Sequence, residues 1–254
     1  MGRWPVLKLR NPCTPDALGR DDLSYGSSRW VGLCEHLADT EQEARALVAE
    51  HGDRLAGLPG GLLESAALAA RFHDVGKAHP IFQETLRGSL HEGDPDPGSG
   101  PWAKSRRGGG RHTRPYFRHE LASALILLHP DCPLLTGAAE PDLVAYLAAA
   151  HHGKVRIGVR SVADEAERHP RRILGIEQGD TIPETQVPAG GPAPALLLNP
   201  AQLMLGTEAG SESWAARVLR LRDRGDLGPF RLAYLEALVR IADWRASRSY
   251  RQEQ

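Results

Sequence analysis

The 254-residue chain is 41% hydrophobic and 25% charged, with a formal net charge of −1, the balance of a soluble globular protein long enough to bury a real core. Near-neutral charge excludes a global field that would draw it to nucleic acid or membrane, and no run of 18 apolar residues offers a membrane span. Three scattered cysteines exclude a disulfide scaffold or a Cys-based zinc knot; with no signal-peptide pattern at its start, the chain is expected to be cytoplasmic. Arginine outnumbers lysine 27 to 4, which suits bidentate phosphate contacts, although a GC-rich genome gives the same bias.

Residues 1–27 are rich in Pro, Gly, Asp and Ser and read as an extension or linker before a domain over 28–254. A helix is predicted from Ser28 to Glu50, with Leu33, His36, Leu37, Thr40, Ala44 and Leu47 on one face, so His36 looks inward. A second covers about 61–74 and ends on His73-Asp74, with Gly76 where a helix should stop. A third, short one includes Pro80 to Leu86, since Pro is tolerated in a first turn. Residues 87–115 form a Gly/Pro/Ser-rich stretch without periodicity, a long loop. Lys104, Arg106, Arg107, Arg111, Arg114 and Arg118 follow one another there without an acid, between or beside Trp102 and Tyr116. Cations interleaved with aromatics suit a single-stranded nucleic acid track; a solvated disordered loop has the same composition.

Helices follow at about 117–129 and 141–152. The second closes the run Leu143, Val144, Leu147, Ala148 on His151-His152, with Gly153 immediately after. Val155 to Val162 alternates weakly and is the one strand candidate, and 177–200 is a second irregular segment. The last helices cover about 211–224 and 229–248, the final one with Leu232, Leu235, Leu238, Val239 and Ala242 inside. The sum is an all-α bundle with long irregular loops. No G-x-x-x-x-G-K-[ST] occurs, so this chain carries no ATP-driven motor of that type.

Against that frame stand His36, His73, Asp74, His119, His151, His152 and Asp243. Imidazole and carboxylate are the ligand types that borderline divalent metals prefer, and seven exceed what one catalytic metal takes from protein. Seven with a carboxylate among them suggest two metals sharing a bridge. Neighbours on a continuing helix point about 100° apart, so two adjacent residues reach one centre best where a helix ends, as both pairs do here. The isolated His51, His79, His129 and His169 read as surface or partner-bonded residues.

At L-C-E-H-L-A-D, H-D-V-G-K-A-H-P-I-F-Q, R-H-E-L-A-S-A, A-A-A-H-H-G and A-D-W-R-A-S the sequence resembles the HD superfamily of metal-dependent phosphohydrolases. More closely, it is similar to the HD nuclease domain of CRISPR type I helicase-nucleases, in the family's order from about 30 to 248. The resemblance implies an HD-domain helical bundle and a nuclease that degrades single-stranded DNA by two-metal hydrolysis in antiviral interference. It implies one metal held by His36, His73, Asp74 and Asp243 and a second by Asp74, His119, His151 and His152, with Asp74 bridging. Only a carboxylate offers two oxygens to join two cations. Lys77 would supply a cation to the transition state, or is simply a surface lysine. Ser247, one turn beyond Asp243, would bond the scissile phosphate or a ligand. Imidazole-rich sites favour Fe, Mn, Co or Ni over Mg. The implied partners are single-stranded DNA, a CRISPR helicase domain (fused or separate) and a Cascade-type surveillance complex, with no membrane. R-H-E around His119 replaces the His-Ser of many relatives. The alternatives are an HD phosphohydrolase acting on a small nucleotide, for which His119, His151 and His152 are superfluous, and a catalytically idle nucleic-acid-binding HD domain.

Overall fold

The apolar stripe that begins at Leu33 becomes helical only after a short strand. A computed structural model describes residues 27–51, 57–107, 111–189, 191–205 and 212–252; all but Ser27 of the expected extension lies outside them. Val31–Gly32 (β1) leads into α1, Leu33–Glu50, whose buried face is Leu33, His36, Leu37, Thr40, Glu41, Ala44 and Leu47. The expected start at Ser28 is too early because the Ser28 amide and hydroxyl both donate to the Tyr250 carbonyl, at 2.9 and 2.6 Å, which ties the segment to the far end of the chain instead of to a helical turn. Helix α2, Gly60–Phe72, buries an alanine-rich face of Ala66, Ala67, Ala69 and Ala70. Small side chains let it lie close to α1, and a half-buried network of Glu41 with Arg71 and Arg45 fastens the pair.

After α2 come a 3-10 turn at Val75–Ala78, helix α3 (Pro80–Arg87), strand β2 (Trp102–Lys104), helix α4 (His119–Leu127) and helix α5 (Pro141–Ala150). Helix α6 (Ala163–Arg168) precedes two short ribbons, β3–β4 (Arg172–Ile173 with Ile176–Glu177) and β5–β6 (Thr181–Ile182 with Leu196–Leu197). Helices α7 (Pro200–Leu205), α8 (Trp214–Asp223) and α9 (Gly228–Gln252) complete the described chain. The architecture is mostly helical with only short strands, the all-α bundle expected. Its core stacks α9 on α1, α1 on α2, α2 on α5, and α5 on α4, which in turn seats the 75–78 turn. No described helix is long and apolar enough to cross a membrane.

Three expectations need correction. The 87–115 segment is not a structureless loop throughout: β2 pairs antiparallel with β1, and the Gln83 side-chain amide clamps it by donating to the Trp102 carbonyl (2.8 Å) while accepting from the Trp102 amide (2.8 Å). The signal lay outside the segment, in a glutamine on α3. Val155–Val162 forms no strand, since no neighbour pairs with it; the segment is held by burial of Val155 and by the Trp214 indole, which donates to the Arg156 carbonyl. The 177–200 segment carries two-residue strands, and Asp180 pins it to the core by accepting from His79 Nε2 (3.1 Å), Arg114 (2.5 Å) and the Glu177 amide (2.8 Å). Burial works against an ionised Asp180, but His79 and Arg114 hold its carboxyl well below the usual carboxylate range.

Gly76 marks a close approach of two backbone segments. It does not stop α2, which ends at Phe72; it lies inside the 3-10 turn pressed on α4. A Cβ there would sit 2.1 Å from the His119 carbonyl oxygen and 2.5 Å from the Ser123 amide nitrogen. Its own amide donates to the Ser123 side-chain hydroxyl at 2.9 Å, which seats the turn against α4. Gly76→Ala is expected to cost about 3 kcal/mol through overpacking, a fall of roughly 6–12 °C in Tm. Gly158→Ala, which meets nothing within 4 Å, should stay within about 1 °C; equal melting of the two variants would show that α4 yields freely.

Candidate metal centre

Two helix ends and three helix faces deliver seven side chains to one volume. His73 is the cap residue of α2 (φ −54°, ψ −36°), and Asp74 (φ −108°, ψ 9°) starts the 3-10 turn. The change of backbone path swings the two neighbours onto a common point, which a straight helix could not do. His151 likewise caps α5, and Gly153 at φ +72° ends the turn with its amide bonded to the Ala150 carbonyl. That left-handed conformation favours glycine. His36 comes from the buried face of α1, His119 from the first residue of α4, and Asp243 from α9. All are buried except His152, which is half-exposed.

The atoms sort into two sets of four that share Asp74: His36, His73, Asp74 and Asp243, and Asp74, His119, His151 and His152, each within 4.8 Å. Asp74 Oδ2 lies 3.2 Å from His36 Nε2 and from His73 Nε2; Asp74 Oδ1 lies 3.1 Å from His119 Nε2 and 3.5 Å from His151 Nε2. Asp243 Oδ1 is 3.2 Å from His36 Nε2, and the facing nitrogens of His119 and His152 are 3.2 Å apart. Ligands about 2.1 Å from one cation and roughly 90–110° apart stand about 3.0–3.4 Å from each other. His36 Nε2, His73 Nε2, His151 Nε2 and Asp74 Oδ1 are buried and have no hydrogen-bond partner. Each such orphan costs about 1–3 kcal/mol, and four pointing into one space are what a divalent cation would satisfy. The donor set therefore fits.

The outward nitrogens are held. His73 Nδ1 donates to the Ala70 carbonyl at 2.8 Å and His151 Nδ1 to the Ala148 carbonyl at 2.6 Å. A carbonyl only accepts, so Nδ1 carries the proton and Nε2 faces the centre. Tyr250 donates to Asp39 at 2.6 Å and stands 3.3 Å from His36 Nδ1, the same device built from side chains. Tyr250 and Asp39 were not among the sequence candidates. The signal was there: Asp243, Ser247 and Tyr250 follow at i, i+4 and i+7, one face of α9.

Charge around the centre is asymmetric. Burial disfavours ionised Asp74, yet His73 and Lys77 hold its carboxyl well below the usual range. Asp243 is held down, against burial, by the nearby rings of His36 and His73 and by the charge of Lys104. Burial also opposes a proton on His73, but the two carboxylates raise it to about 9. Burial and Lys104 lower His36. The cavity thus draws in positive charge.

Lys77 is no surface lysine: it is buried, 2.7 Å from Asp74 Oδ2 and 5.2 Å above the Phe82 ring. Ser247 is buried and donates to Asp243 Oδ1 at 3.0 Å. The six cations expected on a nucleic-acid track do not share one surface. Lys104 (2% exposed) and Arg118 (6%) are buried, which corrects their placement on an accessible loop. Lys104 faces inward from β2, near enough to Asp243 and His36 to shift both. Arg114 is bound to Asp180 and Arg107 to Asp94; Arg106, Arg107 and Arg111 are exposed.

The family model described as Cas3, HD domain matches residues 20–251. No curated protein and no solved structure matches the chain. Tyr250→Phe keeps the ring and removes only the hydroxyl, so it should weaken Mn²⁺ binding at the set that includes His36 by about 10–100-fold at near-constant Tm. Unchanged affinity in a calorimetric titration would show that packing alone orients His36.

Proposed function

We propose, since the chain belongs to the Cas3 HD-domain family, that it degrades single-stranded DNA in type I CRISPR interference by two-cation hydrolysis of phosphodiesters. The family is one of CRISPR-associated, metal-dependent HD nucleases. The observation that carries the finer reading is Asp74, which turns one carboxylate oxygen to each of two buried ligand sets. His36, His73, Asp74 and Asp243 would hold one ion, and Asp74, His119, His151 and His152 the other. Donors so rich in imidazole favour Fe, Mn, Co or Ni over Mg. A bound pair supplies a nucleophilic water at neutral pH and a clamp on the leaving oxygen.

The chain's own groups do the rest. Lys77 neutralises Asp74 Oδ2 and would offer a buried cation to charge developing on the phosphate. Ser247 keeps Asp243 aimed at His36. Burial of six of the seven ligands excludes bulk water, so a phosphate approaches past half-exposed His152. Arg106, Arg107 and Arg111 are the exposed cations of the segment we assign to the strand, and Arg114 ties that segment to Asp180. A CRISPR helicase domain, fused or separate, would feed that strand in the cytoplasm once a Cascade-type complex has marked the target.

Asp74→Asn should abolish binding of both Mn²⁺ ions and all cleavage, whereas His119→Ala should retain one ion; two ions on the Asp74 variant by equilibrium dialysis would refute the bridge. Replacing Arg106, Arg107 and Arg111 together by Ala should weaken single-stranded DNA binding about 10-fold or more at low salt and flatten its salt dependence. Hydrolysis of a small chromogenic phosphodiester should not change. Equal loss of both activities would mean that the segment shapes the metal centre instead.

A further inference from the structure

Three of the ligand histidines have an evident device that fixes the ring: a carbonyl for His73, a carbonyl for His151, and the Tyr250–Asp39 pair for His36. On the other side of the His119 ring stands Glu120, its Oε2 3.7 Å from His119 Nδ1. Glu120 is 1% exposed, and its Oε1 is buried with no hydrogen-bond partner. A buried carboxylate with an unsatisfied oxygen is expensive, and neither the ligand sets nor the mechanism above uses it.

The charge count of the two sets gives it a task. His36 and His73 share Asp74 and Asp243, two carboxylates, with one cation. His119, His151 and His152 have only their share of Asp74. A divalent ion among three neutral imidazoles in a buried place is under-compensated until substrate arrives, and Glu120 stands behind these ligands with a further negative charge.

We infer that Glu120 is the positioning residue of the second set: acting through charge across 3.7 Å, it favours His119 with the proton on Nδ1 and Nε2 toward Asp74 Oδ1 and His152, and it supplies the charge that this ion lacks. The inference rests on the two-ion reading. It makes occupancy of the second place, and not of the first, depend on a residue that touches neither ion.

The test is a Mn²⁺ titration of the metal-stripped chain, wild type beside Glu120→Gln and Glu120→Ala, followed by metal content and by electron paramagnetic resonance. Wild type should bind two ions and give an exchange-coupled spectrum. Glu120→Gln, close to isosteric, should bind the first ion normally and the second about 10–100-fold more weakly, with the uncoupled single-ion spectrum persisting past one equivalent. Glu120→Ala should do the same or worse. Two ions in wild type with unchanged second affinity in Glu120→Gln would overturn the inference alone. So would loss of both ions, or a melted fold, in Glu120→Gln, because Glu120 would then be structural. A wild type that takes one ion only would overturn the two-ion reading, and this inference with it.

Discussion

Asp74 is an ionised carboxylate with almost no solvent contact, and the surrounding structure answers the cost of placing it there. In a low-dielectric interior an isolated carboxylate would take up a proton. Here Lys77, His36, His73, His119 and His151 all lie within 3.5 Å of one or other oxygen. None of these groups can be withdrawn singly without leaving another exposed to the same penalty. The bundle therefore reads as scaffolding for a charge balance, with α1, α2, α4, α5 and the 3-10 turn each contributing a pole.

That balance explains the tight places in the backbone. The 75–78 turn must lie against α4 so that His119 meets Asp74, and only a residue without a side chain allows it. Phe82 then fills the space beneath, its ring 5.4 Å from His119 and under the Lys77 ammonium. Gln83, next in the chain, reaches the other way to clamp β2 and so brings in Lys104. The run from His73 to Gln83 is thus one continuous piece of support, in which apolar, polar and glycine positions serve the same few atoms.

Much of this was legible in the sequence, and the unread part has physical reasons. Helices with a clear apolar stripe, such as α1 and α5, were foreseen with their ends within two residues, except the start of α1, expected at Ser28 and found at Leu33. The convergence of the seven His and Asp side chains follows from placing adjacent ligands at helix ends. What could not be read locally were features fixed by distant partners. The strand over Trp102–Lys104 exists because Val31 and Gln83 pair with it, and its composition alone resembles a linker. Lys104 and Arg118 look like surface cations in a basic run, and long-range packing buries them. Glu120 is invisible for the opposite reason, since an acid in a first helical turn needs no explanation until its burial is known.

The half-exposure of His152 has a bearing on time as well as on chemistry. If two ions bind as proposed and both enter past His152, the inner set at His36 and Asp243 would be filled through the outer set at His152, as in a single-file passage. An ion in the outer place then blocks exit from the inner, so the inner ion's residence time depends on its neighbour's occupancy more than on its own affinity. Chelators would strip such a protein in two phases, fast and then slow. The order of loading would be fixed by geometry before any difference in binding strength came into play.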